Sequence, residues 1–598
     1  MYAGGAAAEP SLEAIYVAAN EGGSSGGHAA LRLSEWVYHY QVRDDGQLQL
    51  RRDRWPDFRV RYNLLDNRSL RRARLAAGPE AARAVARHLH DVFVVEGRNR
   101  AVLRSLGFER RALEARAAGA EPRVEVAAAG LFDGSERGDP HGAILLAAVE
   151  SALGAGALAE LAEGTRAELH ELPRASPPIQ AADLARDRAP QLPSLLGERL
   201  EELLQLAAAL DAIGAARPLA PGLLLDPLEL PLAERERELL SRDAHRLEQR
   251  AIALLRSPRP DRGRALLVAA ARHRAVLASL EQDRLLTLDP IAEPPPAPGD
   301  PGERMSREPL ALLHADLRRA HAELREHAFR AGALDDRAHH ALENAAARHF
   351  ETARSLAEGT PLRGGEPHLV PSRSAPISLA AFEGGAPTPG ELALARENEA
   401  RWADALAGLY DYDLVLRNCA TELVRALDES FDSPEATRQA LGGRIAPGRD
   451  LSFVPIFFQA NVETDLPTAE TETLPAYRLR RLEELAGEGH PVWLRLREGN
   501  VFTSSVYRRP PEDGAFLLFT DDVLWPRPLY GVLNLTYAVL YSGAGLARLP
   551  FEGAEPLLRG ARGLFFSLPE LVFVNVRKGS FEYLEEVSAV WREGRAGA

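Results

Sequence analysis

The chain holds one cysteine, Cys419, in the stretch Tyr410-Asp411-Tyr412-Asp413-Leu414-Val415-Leu416-Arg417-Asn418-Cys419-Ala420-Thr421-Glu422-Leu423. Asn418 is a favoured N-cap. Cys419 to Leu427 reads as a helix with Leu423 and Leu427 on one face, which puts the thiol in the first helical turn. Unpaired amides and the positive end of the helix dipole at that position stabilise a thiolate and lower the cysteine pKa. The same amides are suited to receive an oxyanion, and Asn418 is the residue assigned to this cap. A thiolate that attacks a carbonyl needs an imidazole to take and return protons. On composition alone the plainer reading is favoured, in which Cys419 is a small buried hydrophobe like most lone cysteines of intracellular proteins.

The elements that must hold such chemistry begin at the N-terminus. Three short strands are expected at Ile15 to Ala18, His28 to Leu33 and Trp36 to Val42, the last two joined by a tight Ser34-Glu35 turn. Between the first two lies Gly22-Gly23-Ser24-Ser25-Gly26-Gly27, a loop that permits close backbone approach, so His28 opens a strand beside glycines. Pro79 to Val95 fits a helix with proline in its first turn. From about Arg100 to about Gly390 the chain turns to Ala, Leu, Arg and Glu in helical periodicity, broken by prolines at 173–178 and 290–301. Beyond Val454, the segments Val492 to Leu496, Phe516 to Phe519 and Leu571 to Val576 read as strands of a mixed region.

His28 in Gly26-Gly27-His28-Ala29-Ala30-Leu31-Arg32-Leu33, together with Asn418-Cys419-Ala420-Thr421, resembles the two signature motifs of the Lnb N-terminal periplasmic domain family. There a Gly-His-Thr-Ala-Leu-Arg-like strand precedes an Asp-Asn-Cys-Ala-Thr-like helix start. Tyr62-Asn63 and Asn67-Arg68, followed by the Pro79 helix, resemble the stretch between those motifs. The likeness covers Ser11 to Val95 and Glu391 to Phe431. Its histidine-before-cysteine order is similar to that of permuted relatives of NlpC-type peptidases and of lecithin:retinol acyltransferase. The resemblance implies an α+β fold in which a permuted papain-like core, a small antiparallel sheet plus a cysteine helix, carries Cys419 as nucleophile and His28 as base. Papain-like sites carry a third polar residue that orients the imidazole, and His39 lies at a spacing that brings it across the hairpin. The family-like Val-Tyr-Asn-Tyr strand reads Val37-Tyr38-His39-Tyr40 here.

The resemblance further implies a Cys thioester and acyl transfer from a lipid ester to the N-terminal amine of a bacterial lipoprotein. Lipid or lipoprotein is the expected partner, the periplasm or cell envelope the expected place, and no cofactor is called for. Cleavage of a cell-wall peptide amide by an NlpC-type mechanism is the second reading. A non-catalytic envelope scaffold is the third.

Composition narrows the rest. With 598 residues the chain needs several domains. The expected division is 11–95 as the first half of the core, 96–390 as a helical insertion, 391–435 as the second half, and 450–598 as a C-terminal mixed α/β domain. A net charge of -14 without a basic block argues against nucleic acid. One cysteine excludes an internal disulfide and a Cys-based zinc site. His314, His321, His327, His339, His340 and His349 show no HExxH pattern and read as solvated or core-edge residues, so no metal is expected. No Walker loop and no G-x-S-x-G elbow occurs. Met1 to Pro10 lacks the apolar stretch of a signal peptide, although Ala6-Ala7-Ala8 before Glu9-Pro10 looks like the tail of a cleavage region, with a cytoplasmic location as the alternative. Leu529 to Ala547 carries no charge. It reads as buried core, with peripheral membrane contact through 529–547 as the alternative.

Overall fold

In a computed structural model the chain is described at all residues except 1–10, 20–26, 120, 135–137, 181–183, 227–230, 298–299, 301–303, 306, 364–369, 381–385, 447–450, 487–490, 508–512, 521–522, 524, 573–583 and 586–598. The expectations for Ala6 to Ala8, for most of the glycine loop and for Phe573 to Val576 fall outside the described residues. Two units divide the chain: Met1–Asn99 with Leu184–Ala189 and Leu406–Leu584, and Arg100–Asp183 with Pro190–Ala405 and Glu585–Ala598.

The first unit is built on strands β1 (Leu12–Val17), β2 (His28–Leu33), β3 (Trp36–Val42), β4 (Leu48–Arg54) and β5 (Leu70–Leu75). The strand Thr468–Leu474 completes an antiparallel sheet ordered Thr468–Leu474, β5, β1, β2, β3, β4. Ser34 takes a left-handed φ of 58° in the tight turn between β2 and β3. Period-2 alternation gives the sheet two buried faces. On one, Ala29, Leu31, Leu33, Tyr38, Tyr40 and Leu50 pack against Leu423, Val424 and Leu427 of the helix Cys419–Glu429 and against Val85 and Leu89 of the helix Pro79–Ala118. On the other, Ile15, Val17, Ala30, Val37 and Leu70 pack against Phe58 and Tyr62. Phe58 comes from a short helix, Trp55–Arg59, and Tyr62 from a π-helical turn, Val60–Leu65, that follows it directly.

Burial of these two apolar faces supplies most of the unit's stability, at about 25 cal/mol for each Å² removed from water. The six residues Leu184–Ala189 rejoin this unit from the middle of the chain. Ala185 accepts from Asn99 Nδ2 at 2.9 Å, and Arg186 pairs with Glu422 at 3.2 Å.

The second unit is helical, as periodicity expects, with Leu196–Gly214, Glu234–Arg256, Arg262–Gln282, Arg307–Arg330 and Asp336–Glu358 among its helices. Two short antiparallel pairs, Ala375–Ser378 with Arg123–Val126 and Leu224–Leu225 with Thr287–Leu288, are too short for any periodicity to announce. His321, His339, His340 and His349 are buried here rather than solvated or at the core edge. His339 bonds Asp243 at 2.9 Å, and His321 Nδ1 lies 3.2 Å from His349 Nδ1. Among the described residues no group of three or more His, Cys, Asp or Glu side chains is arranged to hold a metal.

The region after Val454 departs from its expected strands. Val492 to Leu496 lies in the helix Pro491–Glu498, and Phe516 to Phe519 is irregular, with a single bridge between Leu518 and Asn500. A proline at the first position of a helix replaces an amide that would be unpaired anyway, and here it starts a turn that the apolar-polar alternation of Trp493 to Leu496 disguised. Leu529 to Ala547 lies in the helix Arg527–Glu552, which pairs with Glu555–Ser567 as a hairpin, and it is not plain core. Gly531, Asn534, Ala538 and Gly545 of the first helix face inward with Gly560, Gly563 and Ser567 of the second. Leu540, Phe551 and Phe565 point out, at 68%, 89% and 70% exposure. Small and amide side chains on the inner face let the helices approach but leave the large apolar groups on the outer one. No single helix among the described residues is long and apolar enough to cross a membrane.

Candidate active site

The sheet register sets the site. In β2, β3 and β4, Ala30 lies opposite His39 and His39 opposite Arg51. His28 and Asp53 are therefore diagonal neighbours of His39, each two residues from the opposed position and on the same face. At that separation long side chains still meet. They do: His28 Nε2 is 3.0 Å from His39 Nδ1, and His39 Nε2 is 2.9 Å from Asp53 Oδ2. Aromatic rings wall this chain, with Tyr62 stacked on His28 at 5.4 Å between centroids and Phe58 edge-on to His39 at 5.1 Å. His39 is fully buried.

The proton order follows from Asp53. An ionised carboxylate only accepts, so His39 Nε2 carries the hydrogen; a neutral His39 then accepts at Nδ1, and His28 Nε2 must donate to it. The remaining nitrogen of His28, Nδ1, is left with its lone pair. It has no hydrogen-bond partner among the described residues. Burial, with His39, Arg68 and Arg61 adding like charge, pushes the His28 pKa well below the ordinary histidine range. His28 is thus a neutral imidazole at neutral pH, with its free lone pair on Nδ1.

Cys419 begins its helix as the cap chemistry requires. Asn418 Oδ1 accepts from the amides of Ala420 at 2.9 Å and Thr421 at 3.1 Å, and the Asn418 amide donates to Thr421 Oγ1 at 2.8 Å. Such a reciprocal cap contributes about 1 kcal/mol. Asn418 Nδ2 donates to Leu414 O and Phe453 O, so both polar ends of its side chain are spent inside the fold. Asn418 therefore serves as a cap. Two of the amides expected to receive an oxyanion are used by it.

Cys419 is half-buried and packs against the apolar cluster that includes Ala29, one residue beyond His28. Burial pushes the thiol pKa up; the N–H groups of Ala29, Ala420 and Cys419 itself, with the charge of Arg68, oppose that rise. The helix terminus alone suggested a lowered value, and desolvation outweighs it. Cys419 packs with the face to which Ala29 belongs, and Tyr62, which stacks on His28, belongs to the other; Ala29 follows His28 directly in β2. Among the described residues no hydrogen bond joins Sγ to the His28 ring. Gly27 lets the chain enter β2 close against β1. Its φ is +89°, and a Cβ there would lie 2.5 Å from the Tyr16 ring and 2.6 Å from Val17 O.

The structure thus brings His28 and His39 into contact and sets Cys419 beside the same strand end. Sequence reasoning missed Asp53, whose signal was available: it lies one period-2 step from the register partner of His39. It also assigned no role to Tyr62, which stacks on His28, or to Arg68. No model of a known protein family, no curated protein and no solved structure matches the chain.

Proposed function

We propose that the first unit is a cysteine acyl-transfer site in which Cys419 is the nucleophile, His28 its base, and His39 with Asp53 the pair that fixes the imidazole. The observation that carries this reading is the Asp53–His39–His28 chain, which ends one residue before Ala29 of the apolar cluster against which Cys419 packs. Because both thiol and imidazole are neutral at rest, the proton leaves Sγ for His28 Nδ1 as sulfur attacks the substrate carbonyl. That proton transfer requires Sγ and His28 Nδ1 to meet in the substrate complex, and catalytic hydrogen bonds commonly tighten only with substrate bound. The tetrahedral adduct then collapses: the acyl C–O or C–N bond breaks, the same proton goes from His28 to the departing alcohol or amine, and the thioester remains. An acceptor amine or water then releases the acyl group.

A lipid ester is the favoured donor, and lipid or lipoprotein of the bacterial envelope the favoured partner, on the pattern of the Lnb-like motifs. The hairpin of Arg527–Glu552 and Glu555–Ser567 supports that choice, since its outward Leu529, Leu540, Phe551 and Phe565 suit peripheral contact with acyl chains. A cell-wall peptide amide is the competing substrate.

The test is to incubate the protein with a diacyl phospholipid, and separately with a muramyl peptide, and to weigh the Cys419 peptide by mass spectrometry. An acyl mass on Cys419 from the phospholipid, absent in Cys419→Ala and formed about 10² to 10⁴ times more slowly in His28→Ala, is expected. Turnover that survives Cys419→Ala would sink the proposal, and a peptidyl adduct instead of an acyl one would move the substrate class.

A further inference from the structure

We propose that Arg68 is the fixed counter-charge of the Cys419 thiolate, so that the positive charge facing sulfur comes from a guanidinium outside the histidine chain. The inference rests on the reading of Cys419 as nucleophile.

Arg68 is 5% exposed. Its Nε donates to Ala18 O at 2.6 Å, and Ala18 directly follows Val17, the register partner of His28. The guanidinium is thereby pinned beside the strand end on which Cys419 Sγ rests. Its carbon lies 5.5 Å from the Tyr62 ring centre, over the ring that stacks on His28. Asn63 Nδ2 donates to Arg68 O at 2.9 Å and to Pro475 O at 3.2 Å, which locks the backbone that carries it.

Nη2 is buried and has no hydrogen-bond partner, and Arg68 makes no ion pair with a carboxylate among the described residues. A buried, unspent guanidinium N–H costs free energy unless an anion arrives to use it. Cys419 is one of the acidic groups that act on Arg68, after Asp66, Tyr62 and Tyr16, and Arg68 in turn acts on Cys419. His28 does not supply the charge at rest, because its own surroundings keep it neutral.

Burial raises the neighbouring phenols as it raises the thiol: Tyr16 and Tyr412 lie above the usual phenol range, and Tyr62 is raised to about 12. His28 is moved the other way, well below the ordinary histidine range. The rate of Cys419 alkylation along its rising limb reports the thiolate, since the reagent reacts with sulfur in that form.

Iodoacetamide alkylation of Cys419 should shift its midpoint up by about one unit in Arg68→Gln, which is about a tenfold loss of rate on the rising limb. Arg68→Lys, which keeps the charge, should restore most of that loss, and His28→Ala should leave the midpoint in place while slowing acylation about 10²- to 10⁴-fold. Arg68→Gln also gives up the bond to Ala18, so the wild-type protein supplies a second readout that needs no variant. Anionic iodoacetate should gain on neutral iodoacetamide at Cys419 relative to the same ratio for glutathione, because a buried cation attracts the carboxylate. An unchanged midpoint in folded Arg68→Gln, a Lys variant no better than Gln, or a glutathione-like ratio overturns the inference while leaving the proposed nucleophile intact. A Cys419 that neither reagent labels sinks both.

Discussion

At the scale of the residue, one hydrogen on His39 decides whether His28 carries a lone pair or an N–H at Nδ1. The Asp53 carboxylate fixes that hydrogen on Nε2. Asp53→Asn exchanges an obligate acceptor for a side chain that also donates, which reverses the tautomers down the line and places a hydrogen on His28 Nδ1. We expect kcat/KM for acyl transfer to fall about 10²-fold or more, with the melting temperature little changed, because Asp53 is partly exposed. Asp53→Glu should keep much of the activity. Nitrogen chemical shifts of the two imidazoles check the tautomers directly. Equal activity of Asp53→Asn and wild type would remove the relay from the mechanism. A sequence reader could reach His39 by counting across the β2–β3 turn; Asp53 requires the β3–β4 register as well, and although Asp45-Gly46 marks a turn at 43–47, a loop of that length does not fix the register as a two-residue turn does.

At the scale of the element, legibility followed how local the deciding interaction is. The cysteine helix was readable because its cap, Asn418, and its apolar side, Leu423 and Leu427, lie within three turns of one another. The strands β2 and β3 were readable because a tight turn joins them. The edge strand Thr468–Leu474 was not, since its residues TAETETL have no apolar alternation and its pairing with β5 is a matter of distant chain. Nor was the outward disposition of the apolar hairpin. Hydropathy reports that Leu529 to Ala547 is uncharged, whereas the direction its large side chains take depends on where Gly531, Ala538 and Gly545 fall against Glu555–Ser567. This inversion predicts opposite outcomes for substitutions one face apart. Leu540→Asp, on the outer face, should leave thermal stability within about 0.5 kcal/mol yet weaken co-flotation with phospholipid vesicles. Gly545→Leu, whose Cβ would lie 2.8 Å from Leu557 N, should cost about 1–3 kcal/mol in urea unfolding. Undiminished vesicle binding by Leu540→Asp would exclude that surface from lipid contact.

At the scale of the molecule, each of the two units carries a consequence of its own. In the second, burial and the neighbouring His349 and Arg325 push the His321 pKa down to about 4. Between that value and the ordinary histidine value near 6.5 the unfolded chain takes up a proton that the folded unit refuses. His321 therefore leaves stability whole above about pH 6.5 and withdraws on the order of 3 kcal/mol as the pH falls to about 4. Urea midpoints measured across that range should slope less steeply in His321→Leu than in wild type, and parallel slopes would show that other groups govern the acid limb. The first unit carries a different consequence, one of biogenesis. Its sheet strands β1 to β5 are finished by Leu75, and the helix Pro79–Ala118 covers part of the apolar face soon after, but Leu423, Val424 and Leu427 arrive only with the helix that begins at Cys419. At roughly 5–20 residues per second, a ribosome takes roughly 20–70 s to make the intervening chain. For that long, Ala29, Leu31 and Tyr40 stand beside a face whose lid has not yet been translated, so a nascent chain of this design has reason to be held by a chaperone until its core can close.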